Sequence, residues 1–118
     1  MRTYVSINSK IKKALSPILP IAHGSYGGKE DAYAVFRVSS RTKSLIGSGE
    51  NQAVVCYGFI DVFTKTNSSV KDSVLSRIDK ALEENGFIVA NISDPVYLYD
   101  KHYFQAEITF RYVYHLEV

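Results

Sequence analysis

A chain of 118 residues is one domain, long enough to bury a core of its own. With 46% hydrophobic and 22% charged residues it has the composition of a folded globular protein, not of a disordered one. A formal net charge of +2 is too small to argue for a phosphate-binding surface, and a single cysteine, Cys56, excludes both an intramolecular disulfide and a multi-thiolate metal site within one chain.

The first element in chain order is a helix. Tyr4, Ile7, Ile11, Leu15 and Ile18 recur at spacings of three and four, which is one stripe of a helix over residues 3–15. Pro17 and Pro20 end it, because proline lacks the amide donor and restricts its predecessor. A short strand over 21–26 follows, then turn chemistry at Gly27, Gly28, Lys29 and Glu30. Residues 32–39 read as a second strand through Tyr33, Val35, Phe36 and Val38. Residues 39–51 turn polar, with only Leu45 and Ile46 to bury, and read as a long loop.

Residues 52–65 are apolar on both parities (Val54, Cys56, Ile60, Val62; Val55, Tyr57, Phe59, Phe63). That pattern predicts an internal strand covered on both sides. Gly58 within it predicts a bulge or a close approach. A second helix opens near Asn67 or Ser68, either of which can cap it. Its buried stripe is Val70, Val74, Leu75, Ile78, Ala81 and Leu82, and Gly86 is placed to close it in the left-handed region. Residues 87–91 form a short strand, Ser93-Asp94-Pro95 interrupts it, and 96–100 are extended again.

The last strand is the clearest. Phe104, Ala106, Ile108, Phe110, Tyr112, Tyr114 and Leu116 share one parity, while Gln105, Glu107, Thr109, Arg111, His115 and Glu117 share the other with Val113. One face is therefore buried and one wet, and Leu75, Ile78 and Leu82 are expected against the apolar parity. The fold class is α+β, a mainly antiparallel sheet with two helices packed on one face, in one domain over residues 1–118.

No reactive constellation stands out. His23, His102 and His115 fall in no spacing for a base or a metal ligand. Gly27-Gly28 lacks the Lys-Ser/Thr of a phosphate loop, and Gly47-Ser48-Gly49 lacks the strand-to-helix turn of a nucleophile elbow. No catalytic, cofactor or metal site is expected. The apolar runs are too short to cross a bilayer as helices, and no secretory core segment follows Arg2. The expectation is a soluble protein made in a reducing cytoplasm, in which the sequons at Asn67 and Asn91 are chance matches.

Two stretches invite partners. The 39–51 segment, with Arg41, Lys43, Leu45 and Ile46, is either an arm that orders against a partner or a solvated hairpin loop. Tyr97-Leu98-Tyr99 is either an interface patch or an edge strand laying its rings on the sheet. The bias to tyrosine, 9 Tyr against no Trp, suits interfaces and also suits strands.

The succession of a helix, a strand with a His-Gly pair, "DAYAVFRVSS", a polar segment, "VVCYGFIDVFTKT", a helix ending "ALEENGF" and "ISDPVYLYDKHYFQAEITFRYVY" resembles the small tail-completion, or tail-terminator, proteins of long-tailed bacteriophages and prophages. The resemblance spans roughly residues 11–116. It implies a virion structural protein, not an enzyme and without cofactors: a ring subunit, commonly hexameric, that caps the tail tube and joins it to the head. Its partners would be itself, tail-tube proteins and head-connector proteins, with no membrane and no direct nucleic-acid recognition. It would act at the head–tail junction and be made in the host bacterial cytoplasm. The alternative is a ferredoxin-like module that binds a small ligand between sheet and helices.

Overall fold

The stripe at Ile7, Ile11 and Leu15 winds into α1 (Val5–Leu15), and all three side chains are fully buried. They are seen in a computed structural model that describes residues 5–24, 31–46, 51–65 and 74–116. Lys12 and Lys13 sit in the last turn of α1, where positive charge suits the helix dipole. The helix stops two residues before Pro17, and the Ile18 and Leu19 amides donate to the Leu15 carbonyl at 2.9 and 3.2 Å.

Strands β1 (Ile21–His23), β2 (Ala32–Ile46) and β3 (Asn51–Thr64) precede α2 (Val74–Glu84). Strands β4 (Ile88–Ile92), β5 (Val96–Leu98) and β6 (Tyr103–Leu116) follow it. The sheet order is β1-β2-β3-β6-β4, with β5 beside β4 on the outer side of β6. Only β1–β2 is parallel; every other pair is antiparallel. At about 3.3 Å per residue the fourteen- and fifteen-residue strands account for the 51 Å long axis. This is the expected α+β fold with the 52–65 segment internal. The element order is not the β-α-β-β-α-β of a ferredoxin-like unit.

Both helices cover one face. Ile7, Ile11, Leu15, Leu75, Ile78 and Leu82 join Ala34, Phe36, Val54, Cys56, Ile60, Val62, Ala106, Ile108 and Phe110 in one buried cluster. The stripe of α2 therefore meets the apolar parity of β6, as the alternation requires. At the end of α2 the Phe87 amide donates to the Leu82 carbonyl (2.9 Å) and the Gly86 amide to that of Glu83 (3.1 Å). Gly86 has φ +87°, so this is a Schellman closure, with Phe87 and Leu82 both in the core. The proposed caps at Asn67 and Ser68, the turn at 27–30 and the residues before Val5 lie outside the described residues.

Two expectations are corrected. Residues 39–46 are not loop. They continue β2 to Ile46, with Arg41 opposite Cys56, Lys43 opposite Val54, Leu45 opposite Gln52 and Ile46 opposite Asn51; residues 47–50 lie outside the described residues. A strand at a sheet margin needs little apolar surface, because its ladder to β3 supplies the order, and Lys and Arg are common on such margins. Strand β3 is internal but not covered on both faces. Val55, Phe59 and Asp61 are half-buried and Tyr57 is 39% exposed on the face away from the helices.

Gly58 answers to both of its expectations. A bulge displaces the register between Val38 and Ser40 on β2, directly opposite it. A Cβ at Gly58 would stand 2.4 Å from the Arg37 carbonyl oxygen and 2.6 Å from Cζ of Phe110.

Candidate interfaces at the sheet margins

The six residues singled out from the sequence fall on two margins. Arg41, Lys43, Leu45 and Ile46 lie in β2, and Tyr97 and Tyr99 in and just after β5. Strands β3 and β6 separate the two sets, a lateral span of roughly 14 Å at one strand spacing per step. Along the strands, β5 faces the Thr64 end of β3 through Phe104, whereas residues 41–46 face positions 51–56. That offset of eight or more residues is roughly 26 Å or more. The sets occupy opposite corners and cannot form one surface within a single copy.

At the β5 corner both readings of Tyr97-Leu98-Tyr99 are realised by different residues. The Tyr97 ring packs edge-on against Phe104, centroids 5.0 Å apart, as an edge strand laid on the sheet would. Its hydroxyl lies 3.4 Å from Nδ1 of His102. Tyr99 meets the Tyr97 ring at 5.0 Å but is 82% exposed. The turn that displays it is held by the Lys101 and His102 amides, which both donate to the Leu98 carbonyl, with His102 at φ 59°.

Ile88, Ile92 and Val96 are exposed on the same margin, Val96 at 61%, a feature the sequence did not single out. Ile88 and Val96 lie opposite Arg111 and Gln105, on the face away from the helices, and Ile92 lies opposite Ile108, on the helix face. The signal was present in Ile88-Val89-Ala90-Asn91-Ile92, a strand without a charge or a proline. Free margins are ordinarily protected by one or the other. Ser93 fixes this margin to β6: its amide donates to the Glu107 carbonyl at 2.9 Å, and its Oγ accepts from the Glu107 amide at 2.8 Å.

The face away from the helices carries a second, smaller core. Tyr33 stacks on Phe63 at 4.8 Å, Tyr103 meets Tyr33 edge-on at 5.4 Å, and Leu98 packs beside them. Burial, and then the neighbouring Tyr103, raise the pKa of Tyr33 above its ordinary value. Lys65 lies over the Tyr103 ring and Lys101 over Phe63. Further along, Arg37 lies over Phe59 and reaches Oδ2 of Asp61 at 3.4 Å.

Cys56 is fully buried, as a small hydrophobe would be. His23 packs against the Phe36 ring, and His102 sits in the turn before β6. Among the described residues no three of His, Cys, Asp and Glu gather where they could hold one metal ion. No described helix is long and apolar enough to cross a membrane. Comparison with protein-family models found no match, and comparison with curated proteins found none either.

Proposed function

We propose that this chain is a virion structural protein of a long-tailed bacteriophage or prophage, a ring-forming subunit that completes the tail and joins it to the head. The observation that carries the reading is the exposure of Ile88, Ile92, Val96 and Tyr99 along one margin of the sheet. Large apolar side chains grouped at a margin mark a surface that is covered in use. The pattern of elements that resembles tail-completion proteins says what kind of assembly would cover it.

In this reading the protein works by binding, without a catalytic step or cofactor. Its partners are further copies of itself, the tail tube and the head connector. Its place is the head–tail junction, reached from the host cytoplasm where the virion is built. Tyr99 and Tyr97 supply rigid anchoring area, since a tyrosine ring loses little entropy when it is held. Arg41 and Lys43 supply the charge on the opposite margin.

The experiment is assembly in a complementation assay. Tyr99→Ser and Val96→Ser remove exposed side chains and leave the core intact. The monomer should keep its circular-dichroism spectrum, while ring formation and the joining of tails to heads fall together. Normal joining by a folded double variant would remove the margin from the account.

A further inference from the structure

The two margins of this sheet are complementary to each other. Among the described residues, strand β2 pairs with β1 through residues 34–36. Among the described residues, nothing pairs with its outer side from Arg37 to Ile46. At the far side of the sheet, β4 pairs with β6 on its inner side, and among the described residues nothing pairs with its outer side. Each margin therefore presents backbone amides and carbonyls to a strand from elsewhere.

Direction also matches. Strands β2, β3, β6 and β4 alternate in direction, each antiparallel to the last. Strand β4 thus runs opposite to β2. A second copy set beside the first in the same orientation brings its β2 antiparallel to β4. The levels along the strands fix the slide. Through β6 and β3, Val89 is level with Val38, and β5, which continues the β4 row, is level with residues 31–33 of β2. A slide of roughly six residues, about 20 Å, carries β5 past the stretch held by β1 and seats β4 opposite residues 42–46.

Charge selects this pairing over the others. From Arg37 to Ile46 the chain carries Arg37, Arg41 and Lys43 and no acid. Strand β4 carries no charge and is flanked by Glu83 and Glu84 before it and Asp94 after it, all exposed. Arg37 is already paired with Asp61, so two β2 margins laid together would oppose Arg41 and Lys43 of one copy to those of the other. Two β4 margins would gather the acids. The mixed pair brings basic to acidic.

We infer that the outer side of β4 (Ile88–Ile92) is the docking strip for the free margin of β2 in a second copy of this chain, joining copies head to tail through one continuous antiparallel sheet. This rests on the ring-subunit reading and names the contact that builds the ring. A contact between two different margins leaves one of each free on every growing assembly. It therefore propagates until rotation between copies closes it.

Cysteine cross-linking tests the contact directly. The native thiol, Cys56, is fully buried and serves as the silent background. Ser40→Cys on β2 and Val96→Cys on β5, which the slide brings within about a residue of each other, both alter exposed positions. With a short bismaleimide, neither single variant should form covalent dimers. An equal mixture of the two should give dimers, and the chain carrying both should give a ladder of covalent oligomers.

Ile92→Lys, at a partly exposed site on β4, should weaken self-association by roughly tenfold or more without unfolding the monomer. Dimers from either single variant would show that like margins pair, and would overturn the inference. Sedimentation of the unmodified protein separates the two levels of the account. Rings without a ladder would sink the strand pairing and leave the ring reading standing. A monomer at every concentration would sink the ring reading and the inference with it.

Discussion

Gly58→Ala separates two views of the central strand by the sign of its effect. Alanine at an uncrowded strand position stabilises a protein by about 0.4–1 kcal/mol, because it restricts the unfolded chain. At Gly58 the added Cβ would stand 2.4 Å from the Arg37 carbonyl oxygen, against the 3.0 Å that such atoms keep, so the backbones of β2 and β3 must part by about 0.6 Å. It would also stand 2.6 Å from Cζ of Phe110, whose side chain is fully buried. Neither neighbour is the loose end of a flexible side chain. The cost falls at the upper end of the over-packing range, about 3 kcal/mol. For a domain of this size that lowers the melting temperature by about 10 °C. In urea, with a slope near 1.5 kcal/mol per molar, it lowers the midpoint by about 2 M. Phe110→Leu should relieve part of it, so that a double-mutant cycle shows a favourable coupling of roughly 1 kcal/mol. A Gly58→Ala variant as stable as the parent, or more stable, would refute the close approach as the reason for glycine there.

The remaining predictions concern the helices and the face away from them. Ile78→Ala removes a fully buried side chain and should cost on the order of 2–5 kcal/mol in a denaturant titration; less than about half a kcal/mol would mean that the α2 stripe does not reach the core. Gly86→Ala places a Cβ on a residue with φ +87° and should cost roughly 1 kcal/mol by thermal melting, although the nearest atom, Cε1 of Tyr112, leaves room for it at 3.5 Å; no change would show that the turn adjusts freely. The pKa of Tyr33 is raised in the folded state, so above about pH 10 the unfolded chain gives up that proton first and stability falls as pH rises. Tyr33→Phe should lose less stability than the parent between about pH 9 and pH 11, and equal losses would discount the burial of that hydroxyl.

Much of this fold was legible because its signals are periodic. The alternation from Phe104 onward yielded β6 and its buried face, and the spacing of four between Ile7, Ile11 and Leu15 yielded α1. Gly86 was legible because only a few residues tolerate the left-handed closing position. What escaped was order that hydrophobicity does not encode. Residues 39–46 are held by a backbone ladder to β3, and a ladder places no demand on side-chain polarity. The uncovered face of β3 escaped for a related reason. Val55, Tyr57, Phe59 and Phe63 look like residues awaiting a second layer, yet only Phe63, stacked on Tyr33, is buried, and the others are covered in part, Phe59 by Arg37. The candidate surfaces were half legible. Tyr99 announced itself as an aromatic at a turn, but Ile88, Ile92 and Val96 fall on the same margin only when β4 and β5 line up along β6.

Sedimentation equilibrium of the purified protein, with and without tail tubes, tests the proposal that this chain builds a ring at the end of a tail. A ring subunit should give a closed assembly at a single integral multiple of 13.3 kDa, which binds tube ends and fails to form in the Tyr99→Ser, Val96→Ser variant. A 13.3 kDa monomer over the whole concentration range, indifferent to tail tubes, would contradict it.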